Sequence, residues 1–206
     1  MLLKKANQLL AENKLQEAEF HYKTLLESDP QNGEALFGLG RIALRLERFD
    51  AAVYLLQRSC ERLPNMLEPL HALADAFNGV NSPNDALTVL EYAKSIASHN
   101  PEPHYYLAQH YLTHGELDKA QDRFGSAITL LARDIADGNN RAPVSAKNIG
   151  AFRKFAKELQ LNTDTIEKLA LSGMNNYNFD GTDKEKIARL QKGINSLFKQ
   201  DIIKKP

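Results

Sequence analysis

The 206-residue sequence has one cysteine, no long apolar run and no net charge, and each absence narrows the range of functions. A lone Cys60 cannot form an intrachain disulfide, which is typical of proteins from a reducing compartment. No segment approaches the ~18 consecutive apolar residues of a membrane-spanning helix, and the N-terminal stretch lacks the pattern of a targeting signal. We therefore expect a cytoplasmic protein that does not act at a membrane.

The charge balance gives no reason to expect nucleic acid as a ligand, because Lys plus Arg and Asp plus Glu both number 26. The charges are unevenly distributed along the chain. Residues 1–140 contain 13 basic and 19 acidic side chains, whereas residues 141–206 contain 13 basic and 7 acidic ones. The two parts carry opposite net charges, which would favour contact between them.

Catalytic and metal-binding motifs are also missing. The sequence has no phosphate cradle, no nucleophile elbow and no paired-cysteine zinc spacing. His110 and His114 stand four apart on a predicted helix, a spacing with which two imidazoles can share a metal ion, but no HExxH arrangement surrounds them. We interpret them as surface histidines. The sequence thus predicts no enzymatic activity, no cofactor and no metal.

An internal repeat of 34 residues organises the N-terminal two thirds of the chain, and Pro30 and Pro64 close two successive copies. Repeats that begin at Gly33, Leu67 and Pro101 bring similar residues into register. Small residues recur at one position and large residues at another: Ala18, Ala52, Ala86 and Ala120, and Tyr22, Leu56, Leu90 and Phe124. Small residues let paired helices approach closely, while the large ones fill the space between hairpins.

This pattern resembles the tetratricopeptide repeat family, whose members also carry the Leu-Gly or Leu-Ala pair found at Leu39-Gly40 and Leu107-Ala108. The resemblance covers residues 1 to about 134. It implies an all-α fold, a right-handed α-solenoid of about four helical hairpins. Ser98 stands where the third closing proline belongs, so we expect an altered junction between the third and fourth repeats.

Residues 135–206 are predicted to form a C-terminal helical cap, because an open solenoid end exposes apolar surface. Apolar residues at helical spacing predict an amphipathic helix over 144–159. Ser172 to Gly181 is predicted to be a loop. Thr182 and Glu185 have capping-box form and predict a further helix. Basic residues in that helix alternate with acidic ones and lack interleaved aromatics, which indicates a solvated face rather than a nucleic-acid site.

The resemblance implies that the first helix of each hairpin lines a concave groove, so equivalent positions of those helices form ladders. The ladders combine aromatic, polar and acidic side chains, a composition suited to an extended or helical peptide with basic residues. An alternative is that they are ordinary solvated side chains. The candidate groove residues are Asn7, Glu34, Phe37, Arg41, Glu68, His71, Asp75, Glu102, Tyr105 and Gln109.

Relatives that hold the C-terminal carboxylates of heat-shock chaperones use a set of Lys, Arg and Asn side chains, of which only Asn7 is matched here. Glu68 has the opposite charge from the required Lys, so this ligand is not expected. We expect instead an interaction scaffold that binds a protein or peptide partner. Two alternatives remain: the N-terminal regulatory or targeting domain of a larger bacterial enzyme, and a homo-oligomer that assembles through an open solenoid end.

Overall fold

A computed structural model describes residues 1–136, 153–174 and 182–198, and every regular element within these ranges is helical. The all-α prediction is confirmed, and residues 153–158 are also helical. The complete helices are α1 (Leu2–Ala11), α2 (Leu15–Ser28), α3 (Gly33–Arg45), α4 (Phe49–Arg62), α5 (Leu67–Gly79), α6 (Pro83–Ile96), α7 (Pro101–Thr113), α8 (Leu117–Ala136), α9 (Thr163–Met174) and α10 (Asp183–Phe198).

The first eight helices form four hairpins, in which α1 packs on α2, α3 on α4, α5 on α6 and α7 on α8. The chain divides into two compact units, residues 1–96 and 97–206. We call them unit 1 and unit 2. The predicted domain boundary lies at residue 134, where the repeats end. The two compact units of the structure divide after the third hairpin. The fourth hairpin belongs to unit 2 because α8 packs against both α9 and α10.

Small residues bring the paired helices together, as the repeat predicts. The four equivalent alanines have no exposed surface, and the large residues four positions later in each repeat are all buried. At Gly40 of α3, an added Cβ would lie 2.6 Å from the Leu56 side chain of α4. Replacing a glycine at such a contact forces the helices apart, so the close hairpin requires it.

The turn inside each hairpin uses one left-handed residue at the same repeat position. These residues have φ between 55° and 77° and stand 34 apart: Asn13, Glu47, Asn81 and Gly115. In the third turn, the N–H groups of Asn81 and Ser82 donate to the carbonyls of Asn78 and Phe77 at 3.0 and 2.8 Å. This closure satisfies carbonyls at the end of the first helix.

In unit 2, the helices after the array lie directly on α8. An added Cβ at Gly193 of α10 would stand 2.3 Å from the carbonyl oxygen of Ala132 in α8. The hydroxyl of Thr129 lies 2.8 Å from the carbonyl of Ala170 in α9. Both contacts bring backbone against backbone or against a short side chain, so α9 and α10 cover α8 at close range.

The predictions for the C-terminal segment have mixed outcomes. Residues 153–158 of the expected helix over 144–159 are helical, and 144–152 lie outside the described residues. The loop predicted over 172–181 is wrong for 172–174, because α9 continues to Met174, while 175–181 also lie outside the described residues. The capping box is confirmed, since the Thr182 N–H donates to Glu185 Oε2 at 2.8 Å. Helix α9 was not predicted.

Candidate functional site

Unit 1 brings the first helices of its three hairpins together, because α3 contacts both α1 and α5. The residues on these helices that were predicted to bind a partner define what we call the first-helix face: Asn7, Glu34, Phe37, Arg41, Glu68, His71 and Asp75. The other three predicted residues lie on α7, in unit 2.

Phe37 and Arg41 form an aromatic and cationic pair on α3. They are one helical turn apart, and the Arg41 guanidinium carbon lies 5.5 Å from the centroid of the Phe37 ring. Phe37 is half-buried and Arg41 is exposed. A guanidinium at this distance is attracted to the face of the ring. The Phe37 ring therefore offers an apolar surface, and the positive charge of Arg41 already interacts with that ring.

Asn7 has a structural partner within unit 1. The Tyr22 hydroxyl donates to Asn7 Oδ1 at 2.6 Å. The Tyr22 ring is fully buried against Gly38, where an added Cβ would lie 2.2 Å from the ring. Burial raises the pKa of the Tyr22 phenol, and the positive charges of Arg41 and Arg45 oppose that change. Asn7 thus satisfies the one polar atom of a buried aromatic ring, a role that explains it without a ligand.

His71 and Asp75 lie one turn apart on α5 but have different environments. His71 is 3% exposed, and burial lowers its pKa to about 4, so the ring is neutral at pH 7. His71 was predicted to line the groove, but its ring packs into the protein and offers almost no surface to a ligand. Asp75 is exposed at the surface, yet neighbouring protein atoms partly desolvate its carboxyl and raise its pKa to about 6.

The carboxylate of Asp75 has no ion pair or hydrogen bond with any residue that the structure describes. Arg41 occupies the equivalent position one repeat earlier on the adjacent helix α3, yet its guanidinium lies over Phe37. A partly desolvated charge without a counter-charge is unfavourable. This carboxylate is therefore the group on the first-helix face that most needs a cationic partner.

Glu34 and Glu68 extend the acidic character of this face. Both are exposed, and each lies in the first turn of its helix, α3 or α5. A carboxylate at a helix N-terminus interacts favourably with the helix dipole. The two residues therefore stabilise their helices whether or not a ligand is present, and they add negative charge to the first-helix face.

In unit 2, the candidate residues are already in contact with the chain itself. The amide of Gln109 donates to the Tyr105 hydroxyl at 3.2 Å, and the ring of Phe155 meets the Tyr105 ring edge to face, with centroids 5.3 Å apart. Phe155 also packs on Phe124 at 5.2 Å. Tyr105 is half-buried as a result, while Glu102 is only partly exposed. The segment after the array thus covers the part of α7 that was predicted to face a ligand.

A comparison with known families identifies the repeat. The tetratricopeptide repeat family matches residues 3–66, which hold the first two hairpins. Residues 3–66 thus carry tetratricopeptide repeats. Among curated proteins none matches the chain. The predicted resemblance is confirmed, and so is the solenoid class of the fold.

Solved tetratricopeptide proteins share this fold at low identity. TTC0263 from Thermus thermophilus is 20% identical, with a TM-score of 0.62 over 94% of this chain and 97% of that one. A fragment of MamA from Desulfovibrio magneticus is 16% identical, with a TM-score of 0.57 over 63% and 73%. YrrB, described as having an unusual peptide-binding site, is 17% identical, with a TM-score of 0.53 over 97% and 86%. These likenesses concern the fold.

The two histidines at the end of α7 differ from the prediction of surface histidines. His114 is exposed, but His110 is 5% exposed and its Nδ1 is buried without a hydrogen-bond partner in the described part of the chain. Their rings lie 4.4 Å apart, centroid to centroid. Sequence spacing indicated that they share a helix side, but not that one of them would be buried.

Cys60 packs at the edge of an apolar cluster in unit 1, as expected for a packing residue. Burial raises the pKa of its thiol to about 11, so the thiol is protonated and unreactive at neutral pH.

No helix within the described ranges is long and apolar enough to cross a bilayer.

Proposed function

We propose that the chain is a protein-interaction scaffold whose first-helix face binds a peptide segment of a partner, and that this segment carries a Lys or Arg side chain. The single observation behind this proposal is the Asp75 carboxylate, which is exposed at the surface, is partly desolvated by the protein atoms around it and lacks a counter-charge among the described residues. A cationic side chain of a ligand would supply that charge and lower the free energy of the ionised carboxylate.

The surroundings of Asp75 favour a peptide over a simple cation. Phe37 offers a half-buried aromatic surface on the adjacent helix, and Arg41 lies over it. Apolar contact on Phe37 and charge pairing at Asp75 suit a segment with alternating apolar and basic side chains. Exposed Glu34 and Glu68 add to the attraction and speed encounter with a basic ligand. The fold likeness to YrrB, which is described as having a peptide-binding site, supports the same class of function.

The test is a selection of binders to the purified full chain from a random peptide library. We expect the selected peptides to be enriched in Lys or Arg next to an apolar residue. Their affinity, measured by calorimetry, should fall at least about tenfold for Asp75→Asn, because a desolvated charge pair is lost. Phe37→Ala should weaken the same peptides through loss of apolar contact.

Asp85→Asn provides a matched control, since Asp85 is an exposed carboxylate on a second helix, α6, away from the first-helix face. It should bind the selected peptides like the parent chain. If peptides are selected without basic residues, or if Asp75→Asn and Asp85→Asn bind equally well, the proposed specificity is wrong. If no peptide is selected and Phe37→Ala changes no interaction, the first-helix face is not a binding site.

A further inference from the structure

The end of α7 carries a pair of histidines whose geometry is independent of the first-helix face. His110 and His114 are four residues apart, so both side chains lie on one side of the helix. The ring centroids are 4.4 Å apart and the ring planes are tilted by 37°. Two imidazoles this close can direct one nitrogen each toward a common point.

A hydrogen bond determines which nitrogen of His114 is available. The Nδ1 atom of His114 lies 2.8 Å from the carbonyl oxygen of His110. A carbonyl only accepts, so Nδ1 must carry the proton and Nε2 keeps its lone pair. Histidines that bind metals commonly donate their other ring N–H to a carbonyl in this way, which fixes the orientation of the ring.

The surroundings of His110 leave one of its nitrogens for a ligand. The residue is 5% exposed, and its Nδ1 atom is enclosed by protein. Nε2 is therefore the nitrogen with which His110 can bind a metal ion.

We propose that His110 and His114 bind one late first-row divalent metal ion through their Nε2 atoms. The part of the chain that the structure describes contains no group of three His, Cys, Asp or Glu side chains placed to hold a metal. With two imidazole ligands, water can complete the coordination shell, and such an ion exchanges readily. Imidazole ligands favour Cu²⁺ over Ni²⁺ and Zn²⁺ in affinity.

Binding at this place would connect the last turn of α7 to its cap. His110 lies in the last turn, His114 is the C-cap residue, and Gly115 follows with φ of 77°. A bridge across these residues opposes fraying of the helix end. The ion therefore stabilises unit 2 by binding the folded chain and not the unfolded one.

The test uses the tag-free full chain and Zn²⁺, which is diamagnetic and suits NMR. During a titration with Zn²⁺, the ring resonances of His110 and His114 should shift together with a stoichiometry of one ion per chain, and Tm should rise. His114→Gln should weaken Zn²⁺ binding at least about tenfold and abolish the rise in Tm, because one of two ligands is lost. His114 is exposed, so this variant keeps the fold.

His99→Gln is the matched control, because His99 is an exposed histidine away from this pair. It should bind Zn²⁺ like the parent chain. Equal binding by parent and His114→Gln would overturn the proposal, as would a Zn²⁺ titration that shifts neither ring. A peptide-binding test on Asp75 variants is unaffected by either result, so the two proposals can fail separately.

Discussion

The ring of Phe155 lies edge to face against the ring of Tyr105, with centroids 5.3 Å apart, and its centroid lies 5.2 Å from that of the Phe124 ring. Phe124 is the large residue of the fourth hairpin, at the position where Tyr22 of the first hairpin packs against Gly38 of the next. Phe155 thus fills the place that a following first helix would fill. The fourth hairpin is closed by this ring, which is 2% exposed.

Phe155→Ala should destabilise unit 2 by about 3–5 kcal/mol, because it empties a buried aromatic site between two other rings. Urea unfolding of the full chain, followed by far-UV circular dichroism, measures this loss. Lys154→Ala is the control, since that neighbouring side chain is 80% exposed and should change the free energy of unfolding little. A loss below about 1 kcal/mol for Phe155→Ala would contradict the closing role of the ring.

Glu47→Gly should stabilise unit 1. Glu47 has φ of 55°, a left-handed conformation that is strained for a residue with a Cβ and unstrained for glycine. We expect a gain of about 0.5–1 kcal/mol in the free energy of unfolding, measured with urea.

Asn81→Gly is the matched control for this gain, because Asn81 has φ of 57° at the equivalent position. Asparagine tolerates the left-handed region better than glutamate, so this substitution should stabilise the chain less. Equal effects at both positions would show that the strain assigned to Glu47 is not the cause.

The repeat spacing predicts these turns, although local residue type predicts only some of them. Asn13, Asn81 and Gly115 are ordinary left-handed residues, whereas Glu47 is not. At Glu47 the turn forms although the residue type does not favour it. Hairpins, small contact residues and turns all follow from a 34-residue period, since each repeat contacts mainly its neighbours.

The burial of individual side chains and the contacts between distant residues were harder to predict from the sequence than the repeats. Phe37 and His71 share a repeat position, yet the first is half-buried and the second is 3% exposed, because depth depends on what packs beside each ring. The contact of Phe155 with Tyr105 joins residues 50 apart, and Phe155 lies in a part of the chain without the repeat period. No periodicity specifies such a pairing, so the cover over Tyr105 was not predicted.

The outward side of α1 should keep unit 1 from associating with further copies. Lys4 and Gln8 are exposed, while their equivalents one repeat later, Gly38 and Ile42, are buried against the preceding hairpin. Polar residues at these positions make this side of α1 unfavourable for stacking against another hairpin. Lys4→Ala with Gln8→Ile should therefore cause concentration-dependent association, measured by light scattering. Gln16→Ile with Lys23→Ala, on exposed positions of α2, is a control that should associate less.

Asp75 should make the stability of the chain depend on pH with a defined sign. Its pKa is raised from 3.8 to about 6 in the folded chain by desolvation. The folded state therefore binds more protons than the unfolded state between these values, and stability falls as pH rises through about 6. Asp75→Asn removes this loss. Relative to the parent, the variant should be more stable at pH 7.5 than at pH 4.5, by an amount that solvent screening reduces.

Urea unfolding of both proteins at the two pH values measures this difference. His71 acts in the opposite direction, because its lowered pKa of about 4 makes the chain lose stability as pH falls below 6.5. His71 is present in both proteins, so its contribution cancels in the comparison. A difference between parent and Asp75→Asn that stays constant from pH 4.5 to pH 7.5 would show that the carboxylate is well solvated. It would also remove the physical reason for expecting a cationic side chain at this position.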